Sequence, residues 1–128
     1  GDSVRIKDAF VVNIGVNFDI VVAPNFNSNQ VLSQAITAVQ NYFLIENWQI
    51  NQPILLKDIT FLINQIPGVQ AVQNVEVVNL TGQSLGYSNY SYDAKGATVN
   101  SIVYPSIDPM IFEVKYPTTD IKGRVVSL

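Results

Sequence analysis

The side chains best suited to acid–base chemistry in this chain of 128 residues are its ten carboxylates. They are Asp2, Asp8, Asp19, Glu46, Asp58, Glu76, Asp93, Asp108, Glu113 and Asp120. Histidine, the commonest general acid–base, is absent. Cysteine is absent too, which excludes disulfides and thiol chemistry. A zinc site would have to be built from carboxylates alone, against the nitrogen and sulfur ligands that zinc prefers. No Asp-x-Asp spacing sets up a calcium loop. Glu46 and Asp58 flank a connection holding Trp48 and could form a sugar-cleaving pair. Solvated charges at helix ends are the simpler reading of both. Gly82 and Gly86 are too sparse for a phosphate cradle and fit a flexible loop. The expectation is a protein that is not an enzyme, with no catalytic residues, no metal and no cofactor.

The aromatic residues offer binding rather than catalysis. The stretch GYSNYSYDAKG, Gly86 to Gly96, has the Tyr, Ser, Asn and Gly composition of adaptable binding loops. The same tyrosines could instead lid an open end of the core. Trp48 could be a sugar-stacking platform if exposed; between two amphipathic helices it more simply seals the core. Together they support one functional reading, a small carbohydrate- or receptor-binding module.

Composition points elsewhere. Apolar residues make up 48% and charged residues 13%, against about 25% charged in an ordinary soluble domain. So quiet a surface suits a protein covered by partners. The net charge is −3, and Arg5, Lys7, Lys57, Lys95, Lys115, Lys122 and Arg124 form no run, so the electrostatic footprint for nucleic acid is missing. No stretch approaches the ~20 apolar residues of a membrane span, and no charged start followed by an apolar segment suggests a signal peptide. The sequons at Asn79 and Asn89 are read as incidental. The chain opens on Gly1-Asp2 without Met, which is read as an excised part of a longer protein: one domain, 1–128, from its C-terminal end.

Periodicity supplies the scaffold. Phe10, Val12, Ile14, Val16, Phe18, Ile20 and Val22 share one phase of a long strand over 10–22. Asn13, Asn17 and Asp19 lie in the other phase, expected to be the wetter face. Pro24 ends the strand. After an N-cap at Asn27 or Ser28, Val31, Leu32, Ala35, Ile36, Val39, Tyr42 and Phe43 recur at helical spacing over about four turns. Leu55/Leu56, Ile59, Leu62/Ile63 and Ile66 fit a second helix, stopped by Pro67-Gly68. Val69 to Leu80 reads as a strand whose phase slips near Gln73-Asn74, where a bulge is expected. A loop or loose hairpin over 81–96 precedes short strands at 98–104, 110–116 and 121–127. Strand, helix, helix, strand and a strand-rich tail predict an α+β fold with both helices on one face of a mainly antiparallel sheet. A right-handed parallel crossover between the two long strands is the alternative.

The tail carries a resemblance. YPSIDPMIFEVKYPTTDIKGRVVSL, Tyr104 to Leu128, with the preceding YDAKGATVNSIV, resembles the C-terminal end of T-even-type bacteriophage baseplate wedge proteins of the gene-product-six type. LINQIPGVQAVQNVEV, Leu62 to Val77, is similar to the Baseplate J-like family. The resemblance implies a virion structural protein of the contractile-tail baseplate, paired with itself and joined to neighbouring wedge proteins in the inner ring. It implies no cofactor and no catalytic residue, and the composition adds the expectation of no nucleic acid and no membrane partner.

The prolines fit such a role. Tyr104-Pro105, Asp108-Pro109 and Tyr116-Pro117 restrict the backbone on both sides of each bond. They predict a pre-ordered, partly extended ribbon, which would lose little entropy on association. Tyr104, Ile107, Met110 and Tyr116 are the candidate interface residues; Phe112 and Val114 are assigned to the core. The lack of metal ligands is open to direct test. Calorimetric titration with zinc or calcium is expected to give no stoichiometric micromolar site, and finding one would overturn this reading.

Overall fold

β1, Phe10–Val22, runs through the middle of the fold and is paired on both edges. The computed structural model describes residues 9–128, so Asp2, Arg5, Lys7 and Asp8 lie outside it. Along one edge β3, Val69–Asn79, pairs antiparallel from Ile14↔Asn79 to Val22↔Val69. Along the other edge two short strands follow one another, both parallel to β1. β6, Met110–Glu113, pairs with Phe10 to Asn13, and β7, Ile121–Val125, pairs with Val16 to Ile20. A one-turn helix, α3, Pro117–Asp120, carries the chain between them, with Pro117 in its first turn where a missing N–H costs nothing. The two long strands are therefore antiparallel, and no crossover joins them in parallel.

The expected core phase of β1 is buried. Val12, Ile14, Val16, Phe18 and Ile20 are all but sealed from solvent, and each such side chain contributes about 1.5–3 kcal/mol relative to exposure. Val22 is half-buried and Phe10 is exposed at the strand start. α1, Ser28–Tyr42, begins at Asn27, whose Oδ1 accepts from the Gln30 N–H at 3.0 Å. It buries Val31, Ala35 and Val39, one per turn, and packs against β7 and α2. Gly123 in β7 permits that approach: a Cβ there would sit 2.4 Å from the Phe18 ring and 2.8 Å from Leu32. α2, Leu56–Asn64, buries Ile59 and Ile63 and packs against β3. It ends before Pro67 and Gly68. Gly68 has φ 95° and leaves no room for a Cβ against Phe26 and Val31.

The bulge expected near Gln73-Asn74 is there. Asp19 pairs with Asn74 and Ile20 with Val72, so Gln73 is the extra residue; Gln70 is a second one. The expected strand over 98–104 is instead a small hairpin. β4, Thr98–Val99, and β5, Ile102–Val103, are joined by Asn100 and Ser101, both at positive φ (53° and 66°). Two central residues at positive φ make a hairpin turn that follows the strand twist. With β2, Ile54–Leu55, they form a three-stranded antiparallel sheet in the order β2-β5-β4. Three of the five strand pairings are thus antiparallel, and the fold is α+β as expected.

Asn13 departs from expectation. It was placed on the wetter face, yet it is 1% exposed. Its Nδ2 donates to Glu113 Oε1 at 2.8 Å, and its Oδ1 accepts from the Ser88 N–H at 2.6 Å. Its backbone carbonyl accepts from Leu80 N at 2.8 Å and Asn79 Nδ2 at 2.9 Å. Here the loop after β3 folds over the second face of β1. Further along, the polar face is open. Arg124 donates to both oxygens of Asp19, at 3.0 and 3.1 Å, and Asn74 donates to Oδ2 at 3.0 Å. Those bonds tie β3, β1 and β7 side by side. The Arg124 guanidinium holds the Asp19 carboxyl below the usual range.

The two faces yield a test. Ile14→Asp buries a charge without a partner and should cost more than about 4 kcal/mol. Asn13→Asp would set a carboxylate against Glu113 and remove a buried donor, costing roughly 1–3 kcal/mol or more. Urea midpoints should fall for both variants. An unchanged midpoint for Asn13→Asp would remove Asn13 from the interior.

Candidate functional site

The four interface candidates divide around β6. Tyr104 and Ile107 precede the strand and are exposed, with Ile107 fully so at 102% of its reference area. Tyr116 follows the strand and is also exposed. Met110 is not a surface residue: it is 0% exposed. It opens β6 opposite Phe10, its N–H donates to Asn51 Oδ1 at 3.0 Å, and its carbonyl accepts from Asn51 N at 2.7 Å. The sequence signal was present, because Met110 shares the two-residue phase of Phe112 and Val114. Those two are buried as assigned.

The expected extended ribbon is not one surface. Its middle is taken into the sheet as β6, and Tyr116-Pro117 starts a helical turn. Two separate features remain. The first is the loop from Tyr104 to Pro109, with Ile107 at its tip. Tyr104 N donates to Ala97 O at 3.1 Å, and the Tyr92 hydroxyl donates to the Tyr104 carbonyl. Ser106 N donates to Met110 Sδ at 3.0 Å, and Ser106 Oγ to Asp108 O at 3.1 Å. The second is a groove of about 420 Å³ at the other end of β6. Phe43, Leu44 and Ile45 form one wall; Val114, Lys115 and Tyr116 form the other. Leu44 and Ile45 are exposed. They extend the apolar run Phe43-Leu44-Ile45 beyond the last turn of α1, in a 3-10 turn over Ile45–Asn47 where helical periodicity no longer reports burial.

The tyrosine-rich loop is a lid. The Tyr87 hydroxyl donates to Asp120 Oδ1 at 2.7 Å, and the Tyr116 hydroxyl to Leu85 O at 2.9 Å. The Tyr87 and Tyr116 rings meet edge to face at 5.5 Å, and Tyr90 stacks on Phe10 at 4.6 Å. Tyr92 N donates to Asn79 Oδ1 at 2.9 Å. Asp120 is 5% exposed, and its Oδ2 has no hydrogen-bond partner. Donation to Asp120, aided by burial, pushes the Tyr87 phenol up to about 12.

Trp48 is 6% exposed, packed against Tyr42 and Phe43 at 5.4 and 5.2 Å, so it presents no face to a sugar. Asp58 sits in the first turn of α2 and Glu46 in the first turn of the 3-10 helix, where the helix N-terminus favours an acid. Among the described residues no three carboxylates cluster as a metal site, and no helix is long and apolar enough to cross a membrane. A polar trough of about 660 Å³ lies over Asn17, Asp19, Asn74, Glu76, Lys122 and Arg124. Its carboxylates are engaged: Asn17 donates to Glu76 Oε1 at 3.2 Å, and Lys95 lies 3.4 Å from Oε2. No protein-family model matches the chain, and neither does any curated protein sequence.

The latch between Tyr87 and Asp120 makes stability depend on alkaline pH. Tyr87 ionises near 10 when unfolded and near 12 when folded, so its contribution is full below pH 10 and fades as pH rises towards 12. The melting temperature of Tyr87→Phe should lie below wild type at pH 8, and the gap should narrow above pH 10. A gap that stays constant to pH 11 would show that the phenol proton is not part of the latch.

Proposed function

We propose that this chain is a structural subunit of a bacteriophage contractile-tail baseplate wedge, located in the virion tail and acting through contacts with other wedge proteins and with itself. The observation that carries the reading is the pair of exposed apolar features at the two ends of β6, set on a braced scaffold. Ile107 and Tyr104, both exposed on one loop, offer a partner apolar contact area. The tail that holds both β6 and Ile107 is the stretch that resembles baseplate wedge proteins. The low charge fits a surface that is mostly covered in an assembly.

The carbohydrate-binding alternative loses its main support with Trp48 in the core, Tyr87 bonded to Asp120 of α3 and Tyr90 stacked on Phe10. Titration with mono- and oligosaccharides should leave Trp48 fluorescence unchanged.

Immunogold labelling tests the location. Antibody raised against this chain should decorate the baseplate end of contractile tails purified from the phage that encodes it. Labelling of the capsid alone, or no labelling of tails opened by mild denaturant, would sink the proposal.

A further inference from the structure

β6 separates two surfaces that complement each other. Before it stands Ile107, fully exposed, with Asp108 beside it and Pro105 and Pro109 on its flanks. After it lies the groove of about 420 Å³ between Phe43, Leu44 and Ile45 on one side and Val114 and Tyr116 on the other, with Lys115 in the second wall. The knob is apolar and acidic; the groove is apolar and carries a cation. The acid in the groove wall, Glu113, is turned to other use, because its carboxylate accepts from Asn13 at 2.8 Å. Within one chain the two surfaces cannot meet. β6 alone, from Met110 to Glu113, spans roughly 10 Å at ~3.3 Å per residue, and its backbone is held in the ladder with β1.

We infer that Ile107 of one copy docks into the groove of a second copy, with Asp108 facing Lys115. This rests on the structural reading above and names which surfaces make the self-contact. The complementarity selects the occupant: one chain carries both the knob with its acid and the groove with its base. Rigidity favours the contact too. The prolines and the two Ser106 bonds hold the loop in place, so little freedom is lost on docking. The contact joins unlike patches, and further copies can add at the knob and groove left over unless the geometry closes.

Sedimentation velocity over a concentration series, on the chain as it stands, tests this. Wild type should self-associate. Ile107→Asp should remain monomeric while keeping the wild-type circular dichroism, since the side chain touches nothing in its own fold. Asp108→Lys and Lys115→Glu should each weaken association tenfold or more by setting like charges together. An equimolar mixture of those two variants should regain wild-type association, because each knob then meets a groove of opposite charge. The inference is overturned if wild type stays monomeric at high micromolar concentration, if Ile107→Asp associates like wild type, or if mixing fails to restore what the single variants lose. Monomeric wild type together with labelled baseplates would remove the self-contact alone and leave the structural role standing.

Discussion

Backbone pairing along both edges of β1 is the constraint on which the remaining elements depend. A strand has two edges, and each residue offers its N–H and C=O to only one of them. β3 takes one edge along most of its length. The other edge is shared out, with β6 on the first residues and β7 on the later ones. The division forces a break between the two short strands, and α3 fills it. Everything after Met110 is therefore positioned by its register on β1. The loop ahead of β6 and the groove behind it inherit that register.

Polar groups decide how the second face of β1 is used. Near its start Asn13 is buried, and its amide reaches β6 through Glu113 and the lid through Ser88. A buried amide of this kind is tolerated only when its donors and acceptors are met, and here the partners come from two separate parts of the chain. Further along, Asn17 and Asp19 remain on the open side and are matched by Glu76, Asn74 and Arg124. One strand thus has a covered half and an open half on the same face. Tyr87 and Asp120 complete the covered half by joining the lid to α3.

The exposed surface at the end of β6 follows from that arrangement. Lid and α3 are cross-bonded, and Tyr116 is braced by Leu85 and Tyr87 while it stays exposed. Lys115 lies 6.0 Å from the Tyr116 ring centroid, which places the cation on the rim of the apolar groove.

The sequence by itself determined the elements whose burial repeats with a fixed period. β1, α1, α2, β3 and the bulge at Gln73 were legible, because side-chain alternation and helical spacing report directly which residues face an apolar layer. The inward phase of Phe112 and Val114 was legible for the same reason. Tertiary structure alone decided the rest. Asn13 looks like a surface residue until the lid, some 75 positions away, supplies a donor to its carbonyl oxygen. Asn51 bonds the backbone N–H and carbonyl of Met110 from 59 positions away, a pairing that strand phase does not report. Asn100-Ser101 continues a strand pattern on paper, yet both residues take positive φ and the chain turns back, so that β5 pairs with β4 as well as with β2. Edges, lids and grooves are made by residues distant in sequence, and local periodicity holds no record of which distant segment will arrive.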